Sequence, residues 1–209
     1  MLYIALSILI AYLLGAIPTA YIFGKYLKNV DIRDHGSGNV GATNALRTLG
    51  KIPGIAVFVI DILKGTGAVL LVPAFVRWVF PDSGGTLDGH ILLFLGAAAI
   101  AGHVWPVFLK FKGGKGVSTS AGVIAALSPV ILLGCLVVWG VVFTIWKYVS
   151  LASIVAAIAL PVFAVLNGKS MDFVVFCAVL CLGGVYAHRS NIRRLIQGTE
   201  TRIVKVKKR

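Results

Sequence analysis

The sequence predicts an all-α fold: a polytopic integral membrane bundle of seven transmembrane helices, with the N-terminus outside and the C-terminus cytoplasmic. Three observations predict it. Of the 209 residues, 58% are hydrophobic and 13% are charged, a composition too apolar for a soluble globular domain. Apolar runs near the length of about 20 residues that a spanning helix needs fill most of the chain. The Lys and Arg residues concentrate in alternate connections, as they do in cytoplasmic loops.

The predicted spans follow the apolar runs between charges, Pro and Gly. They lie near residues 2–24, 54–77, 88–109, 116–127, 129–146, 150–166 and 171–187. The first run lacks a charged leading region and a small-residue cleavage site, so we interpret it as a span and not as a signal peptide. Ser128 and Pro129 separate the fourth and fifth spans, because proline disfavours helix in the residue before it. The alternative is one kinked helix, which gives six spans.

The formal charge of +13 could suggest a nucleic-acid partner, but its distribution favours anionic membrane lipid. With seven spans, only Arg77 and Lys169 lie outside and Lys64 lies within the second span; six spans would spoil this partition. We expect a monomer without a nucleic-acid partner. We also expect one membrane domain over residues 1–209, whose short basic tail at about 200–209 anchors on lipid headgroups. Three cysteines in apolar runs are interpreted as packing thiols.

Three polar segments interrupt the apolar background, all on the predicted cytoplasmic side. In residues 102–119, Gly113, Gly114 and Gly116 free the backbone to direct N–H groups at one anion just before a helix begins. Lys112 and Lys115 add positive charge. Lys115 is followed by Gly116, so the segment is not a nucleotide P-loop. The alternative interpretation is a tight turn with cytoplasmic lysines.

The other two segments carry donors suited to phosphate or glycerol. Residues 36–47 offer four hydroxyl and amide side chains, with Arg47 three residues beyond the last of them: Ser37, Asn39, Thr43 and Asn44. Helix capping is the alternative role for these groups. In residues 188–200, His188, Asn191 and Arg194 recur at i, i+3 and i+6. His188 could bind phosphate or carry a proton, or it could satisfy the last carbonyls of a helix.

Ionisable residues also occur at membrane depth. Asp61 and Lys64 are spaced to form a pair on the second predicted helix, near its inside end. His103 stands at the end of the third. Such residues are functional candidates because burying them in the membrane is costly.

These motifs resemble those of the acyl-phosphate-dependent glycerol-3-phosphate acyltransferases, bacterial membrane enzymes that begin phospholipid synthesis. The resemblance spans essentially the whole chain and rests on GSGNVGATNALRTLG, GHVWPVFLKFKGGKGVST and HRSNIRRLIQGTE, in this order. It implies a seven-span fold and an active site that faces the cytoplasm at the inner membrane. It also implies transfer of a fatty acyl group from acyl phosphate to glycerol 3-phosphate. Ser118 stands where the family often has alanine, and the charged tail is longer than usual.

The resemblance also implies roles for individual residues. Those expected to be catalytic are Ser37, Arg47, Lys112, His188 and Asn191. Those expected to bind substrate are Asn39, Thr43, Asn44, Gly113, Gly114, Lys115, Gly116, Ser150 and Arg194. No cofactor or metal is expected, since clustered carboxylates are missing from the motifs.

An acyl phosphate is already activated, so we expect direct attack by the glycerol hydroxyl without a covalent acyl-enzyme. The general base is either His188 or an oxygen of the substrate phosphate. Two other functions stay open at this point: an organophosphate or phosphate transporter, and a lipid-binding scaffold without catalysis.

Overall fold

The computed structural model describes residues 2–81 and 89–202, and within these ranges all regular secondary structure is helical. The chain forms two compact units, Met1–Ser128 and Pro129–Arg209. The predicted basic tail lies outside the described residues beyond Arg202. The expectation of one domain stays a prediction, and each unit is described by itself.

The described residues of the first unit include six helices and two short 3₁₀ turns. The helices are α1 (Leu2–Ala16), α2 (Thr19–Lys28), α3 (Ala42–Thr48), α4 (Lys51–Val79), α5 (Gly89–Val104) and α6 (Val117–Leu127), and the turns are Ile32–Asp34 and Val107–Leu109.

Close helix packing in the first unit depends on small residues. α1 packs on α5 and α4, and α4 packs on α6 and α3. A side chain at Gly15 would collide with the backbone of Ala99 in α5, and one at Gly122 in α6 would collide with the backbone of Ile62 in α4. Such small residues let helix backbones approach where lipid gives no hydrophobic driving force between helices. Because α3 and α6 both pack on α4, the loops that precede them are held in place by the packed helices.

Up to Arg202, the second unit contains four helices: α7 (Pro129–Trp146), α8 (Val149–Leu166), α9 (Met171–Ala187) and α10 (Arg189–Ile196). α8 packs against both α7 and α9, and α10 contacts α8 and α9. The axes of α9 and α10 differ by 57°. Cys135 and Cys177 are buried and Cys181 is half-buried, all as free thiols, which agrees with the packing role predicted for them.

Each of the seven predicted spans coincides with helical structure. α6 ends at Leu127 and α7 begins at Pro129, so the helix is interrupted at Ser128, while the choice between six and seven spans stays a prediction. The first predicted span is interrupted between α1 and α2 at Ile17 and Pro18, because proline disfavours helix in the residue before it and lacks an N–H donor. The sequence analysis did not predict this break.

An all-helical integral membrane fold is confirmed. Within the described ranges, five helical segments are long and apolar enough to cross a membrane, or six if α9 and α10 together form one bent span. α6 has 11 residues, which reach about 16 Å, roughly half of a hydrocarbon core. Seven spans, the outside N-terminus and the cytoplasmic C-terminus stay predictions.

Candidate active site

The buried side chain of Asn44 determines the conformation of the first motif. Its side chain is 1% exposed. Its Nδ2 group donates to the carbonyls of Ile32, His35 and Asn39 at 2.9–3.0 Å, and its Oδ1 accepts the main-chain N–H of Ser37 at 2.8 Å. The amide is therefore fully engaged by the loop that precedes α3. This geometry favours a positioning role for Asn44 over the predicted direct contact with substrate.

The other predicted residues of this motif lie nearer the surface. Ser37 and Arg47 are exposed, while Asn39 and Thr43 are half-buried. Gly36 and Gly38 have φ angles of 61° and 70°, and a side chain at Gly36 would collide with Asn44 Oδ1. Asn44 and the two glycines thus fold residues 32–39 into a tight loop that displays Ser37, beside a helix that displays Arg47.

Asp31 and Arg33 form an ion pair at the start of this loop. The Arg33 guanidinium donates to both carboxylate oxygens of Asp31 at 2.7–3.2 Å. Hydrogen bonds from the Arg33 side chain, opposed by burial and aided by the Arg33 main-chain N–H, lower the pKa of Asp31 to about 2. The carboxylate therefore stays charged at physiological pH and keeps its ion pair with Arg33.

The second motif differs from the predicted amide nest. The Gly113 N–H donates to the Val104 carbonyl at 3.1 Å and the Gly114 N–H to the His103 carbonyl at 3.0 Å. Added side chains would collide with the His103 carbonyl at Gly113 and with His103 Nε2 at Gly114. These two glycines allow the loop to lie directly on the end of α5. Their N–H groups already have main-chain acceptors, which disagrees with the prediction that they bind phosphate.

The groups of this motif that suit an anion lie one step further along the chain. Gly116 is the N-cap residue of α6 with a φ of 79°. The first N–H groups of a helix lack intrahelical acceptors, here those of Val117, Ser118 and Thr119, and the helix dipole makes this end positive. Lys112 is exposed and Lys115 is half-buried. The start of α6 with the two lysines is the part of the motif that suits an anion.

Beneath the glycine loop lies a buried polar group. Lys64 Nζ is 2.9 Å from Asp61 Oδ1, so the predicted pair is confirmed. Asp61 Oδ1 also accepts the Thr19 hydroxyl at 3.1 Å and lies 3.8 Å from His103 Nδ1. His103 belongs to the same polar segment as the loop, but Thr19, Asp61 and Lys64 were not connected to it, because they are separated from it along the chain by tens of residues.

In the second unit, the Glu200 carboxylate binds the side chains of three predicted site residues. Its Oε1 accepts hydrogen bonds from Ser150 Oγ at 2.8 Å and Asn191 Nδ2 at 2.7 Å, and its Oε2 accepts one from Arg194 Nε at 2.8 Å. Burial raises the pKa of the Glu200 carboxyl, but the hydrogen bonds from Asn191, Arg194 and Ser150 outweigh it, so the pKa lies below its usual value. The anionic carboxylate fixes all three side chains.

The sequence analysis missed this role of Glu200. The chain reverses after α10 through Gly198, whose φ is 68°, and the Thr199 N–H donates to the Arg194 carbonyl at 2.9 Å. Glu200 is thereby returned to the α10 side chains. The available signal was a lone glutamate two residues after a glycine that follows a basic helix.

His188 is buried at the junction of α9 and α10. Its Nδ1 lies 2.8 Å from the Gly184 carbonyl. Because a carbonyl only accepts, Nδ1 carries the hydrogen, and in the neutral ring Nε2 is the basic nitrogen. The contact matches the alternative role of satisfying a carbonyl in the last turn of a helix. It also gives the ring the orientation and tautomer that a base or phosphate ligand requires.

Comparisons with known proteins agree with this architecture. A family model described as glycerol-3-phosphate acyltransferase matches residues 5–198. The chain is 43% identical to the glycerol-3-phosphate acyltransferase of Prochlorococcus marinus, covering 95% of this chain and 94% of the relative. It is 45% identical to glycerol-3-phosphate acyltransferase 2 of Moorella thermoacetica, covering 95% and 96%.

Two crystal structures of PlsY (YgiH), an integral membrane glycerol 3-phosphate acyltransferase, are similar in fold. The glycerol 3-phosphate form has a TM-score of 0.85 at 41% identity and covers 96% of each chain. The lysophosphatidic acid form has a TM-score of 0.83 at 40% identity and covers 96% of this chain and 95% of the other. Sequence and fold therefore agree over nearly the whole length, and the chain belongs to the glycerol-3-phosphate acyltransferase family, integral membrane acyltransferases of phospholipid synthesis.

Proposed function

We propose that this chain transfers a fatty acyl group from an acyl phosphate to the 1-hydroxyl of glycerol 3-phosphate at the cytoplasmic face of the bacterial inner membrane. The products are lysophosphatidic acid and inorganic phosphate. The observation that carries the proposal is the start of α6, where helix N–H groups without intrahelical acceptors follow Lys112 and Lys115. The relatives solved in glycerol 3-phosphate and lysophosphatidic acid forms support the acceptor and the product.

The acyl phosphate donor is supported by the chemistry of this anion site. An acyl phosphate is a mixed anhydride, so the protein has to align the hydroxyl and neutralise the departing phosphate. The positive end of α6 and the two lysines suit that leaving group. Ser37, Asn39, Thr43 and Arg47 lie at or near the surface of the first unit and provide donors for glycerol 3-phosphate.

The proposed step is a direct transfer. The hydroxyl oxygen forms a bond to the acyl carbonyl carbon, the bond from that carbon to the bridging oxygen breaks, and phosphate leaves with the electron pair. The hydroxyl proton goes to His188 Nε2 or to a phosphate oxygen of the substrate. Cys135 and Cys177 are buried between helices, which does not suit a covalent acyl carrier.

Each unit contains residues with proposed roles. In the second unit, Asn191, Ser150 and Arg194 are held by Glu200, and His188 has a fixed tautomer. In the first unit, Gly113 and Gly114 support the start of α6, while Lys115 and Gly116 lead into it. The protein is proposed to act as a monomer with anionic lipid around its basic residues.

The test uses purified protein in detergent or nanodiscs. It is incubated with palmitoyl phosphate and glycerol 3-phosphate, without ATP, acyl-CoA or added metal. We expect lysophosphatidic acid and phosphate in equal amounts. Product formed from acyl-CoA but not from acyl phosphate would overturn the proposed donor, and no acylated product from either would overturn the proposed reaction.

Two neighbouring lysines provide a matched control. Lys110 and Lys112 are both exposed, but only Lys112 is assigned to the phosphate site. We expect Lys112→Gln to lower kcat/KM by about 100-fold, the order seen when one hydrogen-bond donor that stabilises a transition state is removed. Lys110→Gln should stay within about threefold of the parental protein, as for a surface change. Equal losses in both variants would contradict the assignment.

A further inference from the structure

Asp61, Lys64, His103 and Thr19 form a buried group in the first unit that we name the polar brace. Asp61 is 1% exposed, Lys64 5% and His103 7%. Ionisable groups buried in membrane helices are costly, and removing one partner of a buried charge pair is strongly destabilising. The proposed transfer step uses none of these side chains, so the presence of these buried ionisable groups needs another physical reason.

The polar brace links three elements of the first unit. Asp61 and Lys64 lie in α4, where they pair at 2.9 Å. Lys64 Nζ donates to the Ile17 carbonyl at 3.1 Å, and Asp61 accepts the Thr19 hydroxyl at 3.1 Å. Ile17 and Thr19 flank the break between α1 and α2. Asp61 Oδ1 also lies 3.8 Å from His103 Nδ1 at the end of α5, a packing contact that is longer than a hydrogen bond.

The glycine loop lies directly on the last member of the brace. The Gly114 N–H donates to the His103 carbonyl, and a side chain added at Gly114 would collide with His103 Nε2. Lys64, His103, Gly113 and Gly114 also line one small cavity. The position of the His103 ring therefore limits where Gly114 can lie. Gly114 is two residues before the N-cap of α6, so the brace and the proposed phosphate site are in contact through a short, tightly packed segment.

We propose that the polar brace is a positioning device for the glycine loop. Asp61 and Lys64 fix the His103 ring, the ring fixes Gly114, and Gly114 fixes the start of α6 where the substrate phosphate binds. The three ionisable residues are positioning residues, since none is assigned to touch substrate. The kinetic part of this inference rests on the proposed function, whereas the structural part does not.

The first experiment tests the contact between the ring and the loop. Gly114→Ala places a methyl group against the His103 ring, so we expect kcat/KM to fall about tenfold or more; in a His103→Ala background, where the ring is gone, the same change should cost less than about threefold. Gly113→Ala is the matched control. Its methyl group meets the His103 carbonyl and Pro106, which His103→Ala does not remove, so its cost should be equal in both backgrounds. Equal costs for Gly114→Ala in both backgrounds would overturn the proposal.

The second experiment removes the charges together. Asp61→Leu with Lys64→Met leaves no stranded charge, and such paired replacements are often neutral for stability. We expect this double variant to fold, to have a KM for acyl phosphate raised about tenfold, and to exchange the Gly113 and Gly114 amide hydrogens faster. Ser7→Ala is the control, because Ser7 is buried and bonded within α1 far from the loop in sequence.

Amide exchange distinguishes the two ways in which the inference can fail. It needs no catalysis, so a parental protein without transferase activity would overturn the proposed function and leave the exchange result to judge the brace. A folded double variant with parental KM and parental exchange at Gly113 and Gly114 would overturn the brace itself.

Discussion

At the scale of single residues, the buried side chains of Asn44 and Glu200 determine the conformation of two polar segments. Asn44 uses its whole amide on four main-chain partners, and Glu200 uses both oxygens on three side chains. Buried polar groups are costly unless every donor and acceptor is satisfied. Each residue therefore specifies one loop conformation, and that conformation determines the positions of the residues that are proposed to face substrate.

Glu200 gives a prediction about stability and pH. Its pKa in the folded protein lies below the usual value, so its stabilising contribution is present at neutral pH and is lost as the pH falls through that lowered pKa. Glu200→Gln removes the charge that Arg194 and Asn191 bind. We expect the Tm of this variant to lie below the parental Tm at pH 7, and the two to converge once the pH falls below the lowered pKa of Glu200.

The measurement is thermal unfolding in detergent between pH 3 and pH 8. Asp34→Asn is the control, because it removes the charge of a carboxylate at an exposed position, and it should change the Tm little at any pH in this range. A difference between parental and Glu200→Gln protein that is constant with pH would show that the carboxylate charge is not the cause.

His188 gives a prediction about the base. Glutamine at this position can still hydrogen-bond but cannot take a proton near neutral pH. If His188 is the base, His188→Gln should lower kcat at saturating glycerol 3-phosphate by about 100-fold or more. A near-parental kcat with a raised KM would instead assign the base to the substrate phosphate and leave His188 a binding role.

At the scale of secondary-structure elements, the beginning of α6 is the proposed location of the chemistry. A helix of 11 residues still directs its first N–H groups outward, since the orphan donors belong to the first turn and not to the length. Gly116 turns the chain into this helix with a φ of 79°. The location of α6 is decided by packing on α4, where Gly65 and Gly122 permit close approach.

Gly116→Ala tests the element. A non-glycine residue at this φ costs about 1–2 kcal/mol, and the added methyl group would lie 3.2 Å from the side chains of Ile100 and Val104. We expect kcat/KM to fall about tenfold or more as the first turn shifts. Gly140 in α7 has nothing within 4 Å of an added methyl group, so Gly140→Ala should keep parental activity. Equal activity of both variants would show that the turn at Gly116 does not position the site.

At the scale of the whole molecule, charge and hydropathy determine membrane placement. The apolar helices expose many large hydrophobic side chains, such as Leu133, Val137 and Val141 on α7. In lipid this exposure is favourable, whereas in water it would form an aggregation-prone patch. The distribution of Lys and Arg then predicts which ends face the cytoplasm.

The predicted orientation is tested by cysteine labelling in whole cells. After the native cysteines are replaced by alanine, Lys169→Cys should react with an impermeant maleimide from outside. Lys51→Cys, at the exposed start of α4, should react only after the inner membrane is permeabilised. Labelling of both residues from outside, or the reverse pattern, would contradict the predicted topology. Retained transferase activity shows that the labelled variants are folded.

The sequence by itself determined that the chain is helical and lies in a membrane, and it located the seven apolar segments and the three polar motifs. It could do so because the bilayer leaves the backbone almost no alternative to helix, and because charges and prolines mark the ends of the apolar runs. The pairing of Asp61 with Lys64 was also predictable, since both lie on one helix at i and i+3.

Only the tertiary structure decided which polar groups of the motifs remain available for substrate. The Gly113 and Gly114 N–H groups bind carbonyls about ten residues away, and Glu200 binds Ser150 from 50 residues away. At the break at Ile17 and Pro18, the Ile17 carbonyl accepts a hydrogen bond from Lys64 of another helix. Each of these contacts depends on how helices pack, which is a non-local property that no pattern along a single segment contains.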